Sequence, residues 1–489
     1  MGVKEVKEFL KSNNIDVNFN TILITGTNGK SSTSHLVNLF LMKFSKLLNL
    51  DLKVGLFSKP HILKINERIK INYSDINDSD FNNLITKVNE LKSNVNLNWF
   101  DELVLVAIFY FLENKIDLGI FEIGIGGKYD STNALDSIIN IITNIGLEHT
   151  EILGNSIKSI AYQKSGIIKN NSFTLTFANK GFKTIYNQSI KKNSFILNLN
   201  KIFRINLVSI NIQTDKLDQF KIKFSYLVKF IPDKKLIKKM NNKVFKNFEF
   251  SKEVFENLYE ILKLFFKDGV IIDFYSPYLI KNYLIAFVCS ILYLILDKRY
   301  KEIINNKHFF KKILTNLSID FEFLGRFNIL RIKNSFLLLD SAKDILALEY
   351  ILKLFFYKLY KTICDNFKRK IKISLVFSFS KGKVFQKFQN IYKIIYKNID
   401  KIESIYFLEH LIEQKAQDSS IPFNSFYVNL KEISNSDFNV LSKLKNLGKL
   451  NEEKLFELIN LNEFIFITGS VYFVANVFEL LNKNFIEIK

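Results

Sequence analysis

The residues best placed to do chemistry come early. Gly26, Gly29 and Lys30 stand in the segment ITGTNGKSS, Ile24 to Ser32, immediately after a short apolar run. Two glycines let backbone amides turn inward toward phosphate oxygens, and a helix starting behind them aims its positive end at the same spot. Lys30 then reaches β- and γ-phosphates, and a hydroxyl from Ser31 or Ser32 is available to ligate magnesium. The broad nucleotide-binding pattern also asks for glycine at position 24, where Ile24 stands. The shorter form, GTNGK directly after a strand, is met in full. A glycine turn with an incidental lysine is the plain alternative, and the strand–turn–helix setting weighs against it. Glu122 closes a second apolar run, DLGIFEI, where an open sheet presents side chains that touch ligands.

Short β-rich runs and helical stretches must position these groups. Thr21–Thr25, Val54–Ser58, Asp117–Ile123 and Ile138–Ile145 read as strands. Leu36, Phe40, Phe44 and Leu47 recur at helical spacing between the first two. Strand and helix alternate as in βαβ units on a parallel sheet. From about 180 to 270 the pattern loosens into Lys/Asn/Phe-rich sequence without a clear period, which reads as an inserted or divergent region. Alternation returns near 320 with strands at 336–340, 373–379, 402–408 and 464–468, and a last helix at Val471–Leu481. The expected fold is α/β: a P-loop NTPase-type domain with a central parallel sheet at 1–318, then a smaller Rossmann-like α/β domain at 319–489.

Composition narrows the class. The 489 residues are 48% hydrophobic and 24% charged, a globular balance rather than a disordered one. Lys and Arg outnumber Asp and Glu by 69 to 48, for a formal charge of +21. That excess is spread along the whole chain, together with 49 Phe and only four Pro, and reads as compositional drift rather than as a nucleic-acid-binding face. Two cysteines, Cys289 and Cys364, exclude a disulfide framework. The amino terminus has no apolar stretch fit for a signal peptide. The longest apolar run, Tyr283–Leu296, falls short of the roughly 20 residues that cross a bilayer and reads as a buried helix. A cytoplasmic protein without membrane or nucleic-acid partners is expected.

Five blocks in order resemble one family. GTNGK at 26–30, GLFSKPH at 55–61 with NERI at 66–69, EIGIGGKYDSTN at 122–133, GLEHTEILG at 146–154 and KSGIIK at 164–169 are similar to the folylpolyglutamate synthases and dihydrofolate synthases of the Mur ligase superfamily. Weaker echoes follow in LGRF at 324–327, FLLLDSAKD at 336–344 and ITGSVYFVANV at 467–477. The resemblance implies an ATP-dependent ligase that adds L-glutamate to the terminal carboxylate of a reduced folate through an acyl phosphate. It implies ATP and Mg²⁺, bound by Gly26, Thr27, Asn28, Gly29, Lys30, Ser31 and Ser32, with Asn282, Arg326 and Asp340 contacting the nucleotide. Glu122 and His149 match metal ligands, with Ser32 and Ser58 beside them, and Lys164 matches a lysine carried as a carbamate that binds a second ion. Lys30, His149 and Lys164 form the catalytic set. Asp130, Ser131, Thr132 and Asn133 match a supporting loop. A monomer is the family expectation.

The same comparison exposes departures. Lys59–Pro60 stands where the family has Ser–Pro, and that serine normally ligates magnesium. An ammonium has no lone pair to give, so either Ser58 takes the place or Lys59 contacts phosphate directly. Leu279 holds the site of a nucleotide-contacting glutamine. Lys343 and Asp344 replace a histidine and an asparagine. Only about 20 residues precede the first strand, which tilts the expectation toward polyglutamylation alone. The rivals are dihydrofolate synthase, alone or combined with polyglutamylation, and an inert homologue that binds ATP or folate without turnover.

Overall fold

The computed structural model describes residues 2–61, 64–92, 95–214, 220–232, 249–320, 325–342, 345–379, 388–410, 421–433 and 438–484. Lys343 and Asp344 lie outside the described residues, as does Leu324 of the LGRF segment. The chain divides into two compact units. One comprises Met1–Leu207, Tyr226–Asp273 and Tyr278–Ser318; the other comprises Val208–Ser225, Phe274–Pro277 and Ile319–Lys489.

Eight strands build the first unit's sheet: β1 (Asn20–Thr25), β2 (Val54–Phe57), β3 (Ile69–Ile71), β4 (Ser74–Asp75), β5 (Leu118–Glu122), β6 (Ile139–Ile142), β7 (Phe173–Thr176) and β8 (Phe195–Asn198). Their order is β4-β3-β2-β5-β1-β6-β7-β8. β3 and β4 run antiparallel at one edge, and the described pairings from β2 to β8 are parallel. Central strands are covered on both faces, so they read as unbroken apolar runs rather than alternating ones. Ile22, Leu23 and Ile24 of β1 and Ile120 and Phe121 of β5 are wholly buried.

Helices α1 (Val3–Ser12), α2 (Lys30–Leu47), α3 (Asp78–Leu91), α4 (Trp99–Glu113), α5 (Thr150–Leu153), α6 (Ile157–Lys164), α7 (Phe182–Lys191), α8 (Glu249–Phe266) and α9 (Ile280–Leu296) follow in this unit. The apolar run at 283–296 is indeed an internal helix. α9 is buried almost all round and packs on α2, with Phe40 against Tyr283 at 4.8 Å and Phe44 against Phe287 at 6.0 Å between ring centroids. Among the described helices none is long and apolar enough to cross a membrane. α4 begins at a reciprocal cap: Asn98 Oδ1 accepts from Phe100 N at 2.8 Å, and Asp101 Oδ2 accepts from Asn98 N at 3.0 Å.

The stretch 180–270, which carries no clear period in the sequence, contains regular structure. Besides α7, β8 and α8 it holds β9 (Phe203–Thr214) and β10 (Phe220–Phe230), which with β11 (Val270–Phe274) make a three-stranded sheet in the order β11-β10-β9. Ile222, Phe224, Tyr226, Val228 and Phe230 are buried at every second position of β10. Lysines and polar residues between them mask the alternation to the eye.

The second unit's sheet has β12 (Arg326–Ile332), β13 (Ser335–Asp340), β14 (Ile373–Ser378), β15 (Ile402–Glu409), β16 (Leu444–Lys449) and β17 (Phe464–Gly469), in the order β12-β13-β17-β14-β15-β16. β12 is antiparallel to β13, and the remaining pairings are parallel. Leu337, Leu339, Ile465, Ile467 and Val376 form its core with Phe473, Val477 and Leu481 of the final helix, Val471–Asn484.

Candidate functional site

The phosphate loop leaves the carboxyl end of β1 and enters α2 at Lys30. Gly29 sits at φ +84°, and a Cβ there would stand 2.3 Å from Asn282 Oδ1, so glycine is what lets α9 lie over the loop. A Cβ on Gly26 would meet Thr143 Oγ1 at 1.8 Å. The loop is tied to the segment after β6. Asn28 N donates to Asn144 Oδ1 at 2.9 Å, Thr143 Oγ1 donates to Asn28 O at 2.6 Å, and Gly146 N donates to Thr27 Oγ1 at 2.9 Å. Lys30 folds back, its Nζ donating to Gly26 O at 2.8 Å and Thr27 O at 3.3 Å. That places the ammonium at the loop's mouth.

β2 and β5 bring the next groups alongside. Phe57 pairs with Phe121, so Ser58 and Lys59 leave the sheet beside Glu122. Glu122, 1% exposed, accepts from Ser31 Oγ at 2.9 Å through Oε1 and from Lys59 N at 3.0 Å through Oε2. Ser31 Oγ also lies 2.6 Å from Lys59 O. Ser31, Lys59 and Glu122 therefore close a ring linking α2, β2 and β5. It is Ser31 that reaches Glu122; Ser32 is buried in the same turn. Ser58 is buried with its hydroxyl 3.1 Å from His35 Nε2, and its N donates to Arg68 O at 2.9 Å. Burial raises the Glu122 carboxyl above its ordinary value, against the pull of Lys30, of the Lys59 amide and ammonium, and of Ser31. Lys59 is lowered to about 8 by burial and by Lys30, opposed by Asp130 and Glu122.

Lys164 ends α6 with its side chain 1% exposed, donating to Gly26 O at 2.9 Å and to Glu148 Oε1 at 2.5 Å. Burial, followed by repulsion from Lys30, lowers it to about 8 against the attraction of Glu148. Glu148 was not foreseen as this partner, although a buried lysine demands a counter-charge and the preceding motif supplies one. His149 follows at φ +44° as the residue before α5, with its side chain 38% exposed and Nδ1 3.7 Å from Glu151 Oε1. The intervening loop is braced. Asp130 accepts from Ile125 N at 2.9 Å and Thr132 Oγ1 at 2.7 Å, Ser131 donates to Asp101, and Asn133 Nδ2 donates to Lys128 O at 3.1 Å and Gly166 O at 3.2 Å. Thr25 Oγ1, from the end of β1, bonds Gly126 O at 2.7 Å.

Lys30, Ser31, Glu122, Lys164 and Asn282 are thus gathered around one loop. Arg326 and Asp340 belong to the second unit, paired in register between β12 and β13. There Arg326 Nη1 donates to Gly325 O at 3.1 Å and to the Ser341 hydroxyl, and Asp340 is buried. Leu279 is buried before α9. The donor set at Glu122, a carboxylate with a serine hydroxyl beside a phosphate loop, consists of the hard oxygens that magnesium takes. Among the described residues no three His, Cys, Asp or Glu side chains gather to hold an ion by themselves. Nucleotide oxygens would have to complete the coordination.

Residues 24–241 match the Mur ligase middle domain. Over that part the chain is similar to dihydrofolate synthases and folylpolyglutamate synthases. The dihydrofolate synthase/folylpolyglutamate synthase of Haemophilus influenzae is 37% identical over 150 residues, which cover 31% of this chain and 33% of that relative. The match therefore spans about a third of the relative's length. Over nearly the whole chain the likeness is one of fold. A Mycobacterium tuberculosis folylpolyglutamate synthase complexed with ADP and AMPPCP superposes with a TM-score of 0.67 at 14% identity, covering 98% of this chain and 95% of the other. A bifunctional folylpolyglutamate synthase/dihydrofolate synthase with Mn, AMPPNP and L-glutamate bound gives 0.64 at 16% identity, covering 99% and 94%.

Proposed function

We propose that this chain is an ATP-dependent ligase joining L-glutamate to the terminal carboxylate of a reduced folate through an acyl phosphate. The observation that carries the reading is the ring of Ser31, Lys59 and Glu122, which sets a buried carboxylate directly against the phosphate loop. A bare carboxylate is a poor electrophile. The amino end of α2 and Lys30 hold the β- and γ-phosphates in line with the folate carboxylate, which takes the γ-phosphoryl group. The glutamate amine then attacks the acyl carbon, phosphate leaves, and the amine gives up its proton. Such a transfer asks the protein mainly for alignment and charge stabilisation. Magnesium, held through Glu122, Ser31 or Ser32 and His149, would supply charge neutralisation at the phosphates. Lys164 has the desolvated amine that carbamate formation requires, and Lys30 and Lys59 nearby would stabilise the resulting anion. Residues 1–318 serve as the ATP- and folate-binding part, and 319–489, which carry the nucleotide-contacting candidates Arg326 and Asp340, as a Rossmann-like ligase domain. The chain works as a monomer in the cytoplasm, without nucleic-acid or membrane partners.

Product analysis tests this. With ATP, glutamate and tetrahydrofolate, mass spectrometry is expected to find folate lengthened by glutamyl residues. Turnover with dihydropteroate alone would make the enzyme a dihydrofolate synthase. Nucleotide binding with neither product would leave an inert binder.

A further inference from the structure

Bringing a γ-phosphate against a carboxylate means holding two anions together, and something positive must stand between them. Lys59 is placed to do so. Its backbone is locked at both ends, the amide on Glu122 Oε2 at 3.0 Å and the carbonyl under Ser31 Oγ at 2.6 Å, so the side chain starts from a fixed point beside the phosphate loop. The ammonium lies 5.8 Å from the centroid of the Phe100 ring, and that ring is packed against Gly124, two residues beyond Glu122. The charges that act on it are the Lys30 ammonium, the carboxylates of Asp130 and Glu122, and the Arg68 guanidinium. Both carboxylates are already engaged: Glu122 by Ser31 and Lys59 N, Asp130 by Ile125 N and Thr132. Glu122 with nucleotide oxygens can serve one divalent ion. A second ion next to it would have to enter the space this ammonium commands, against two lysines that would themselves already counter the anion of a carbamate on Lys164.

We infer that Lys59 acts as a built-in cation at the phosphoryl-transfer site, contacting the γ-phosphate and taking the place of a second divalent ion, so that the chain binds one such ion per nucleotide. The inference rests on the nucleotide reading above and adds the charge arrangement to it. Lys59→Ser vacates the position, and Lys59→Arg keeps the charge.

The test is to titrate Mn²⁺ into the purified chain with saturating AMPPNP, reading free Mn²⁺ by electron paramagnetic resonance and bound nucleotide by equilibrium dialysis. Expected are one Mn²⁺ per bound nucleotide in the wild type and in Lys59→Arg, and two in Lys59→Ser. AMPPNP affinity at limiting Mn²⁺ should fall roughly tenfold or more in the serine variant, as for loss of a charge-assisted hydrogen bond. Two Mn²⁺ in the wild type, with nucleotide bound, overturn the assignment of Lys59 and leave the ligase reading standing. One Mn²⁺ in both wild type and Lys59→Ser also overturns it, because the ammonium is then not what excludes the ion. Failure of every form to bind nucleotide overturns both readings. Should the serine variant not fold, Lys59→Gln removes the same charge at nearly the same size, and two Mn²⁺ per nucleotide are expected there.

Discussion

Glu122 is a carboxylate kept where burial disfavours its charge, and lysines with two hydrogen-bond donors keep it in place. Carboxylates perturbed in this way cluster at functional sites. Glu122→Gln is therefore expected to lower turnover by about 100-fold or more, in the range seen when a group that stabilises transferring charge is removed. Its melting temperature should stay unchanged or rise. Calorimetry beside a turnover assay checks both, and a variant that loses activity only by unfolding would count against the role. Gly29→Ala tests the loop. It must accept a left-handed φ and push Asn282 aside, so a stability loss of about 1–3 kcal/mol is expected by denaturant titration, together with weakened nucleotide binding. Much at this scale was legible in the sequence. Gly26, Gly29 and Lys30 announce themselves by spacing, and Glu122 by closing an apolar run. Glu148 and the Thr143–Asn144 staples were not legible, because hydrogen bonds between sequence-distant loops leave no periodic trace.

Among the elements, the buried central strands were the easiest to read. β1, β5, β6, β14 and β17 are almost wholly buried and mostly apolar, and so stand out as runs. β3 and β4 are short and partly exposed at an edge, and β10 alternates behind lysines, so their signals sink into a lysine-rich background. Phe121 in β5 packs with Phe19, Phe57 and Phe111, so Phe121→Ala should cost about 3–5 kcal/mol, measurable by chemical denaturation. The ends of β14 and β15 carry a second test. His410 is 2% exposed, with Nδ1 2.7 Å from Ser378 Oγ, and burial lowers it to about 4. An unfolded chain takes up this proton near pH 6.5, whereas the folded chain does not until about pH 4. The unfolded state thus binds more protons between those values, and the stabilisation present above the upper one is lost as pH falls toward the lower. The full loss would be about 3 kcal/mol. His410→Gln should flatten that part of the stability–pH curve; an unchanged slope would show that the imidazole titrates alike in both states.

At the scale of the whole molecule, the site draws on stretches separated by more than two hundred residues, from Lys30 to Asn282: the sheet order gathers the loops that follow its strands, and the packing of α9 on α2 adds Asn282. Motif order points to part of that assembly, because GTNGK, GLFSKPH and EIGIGGKYDSTN each run out of the carboxyl end of a parallel strand, β1, β2 and β5, whereas Lys164 comes from the end of α6. Arg326 and Asp340 stand out in the sequence only as short motifs, and they pair in register between β12 and β13 of the second unit. The most direct measurement is ADP release by the purified chain when ATP, a reduced folate and glutamate are supplied together and with each one omitted. Coupled chemistry gives ADP in step with new amide bonds, and a collapse of sustained release when either acceptor is withheld. Nucleotide bound tightly, with no ADP formed from the complete mixture, would contradict it.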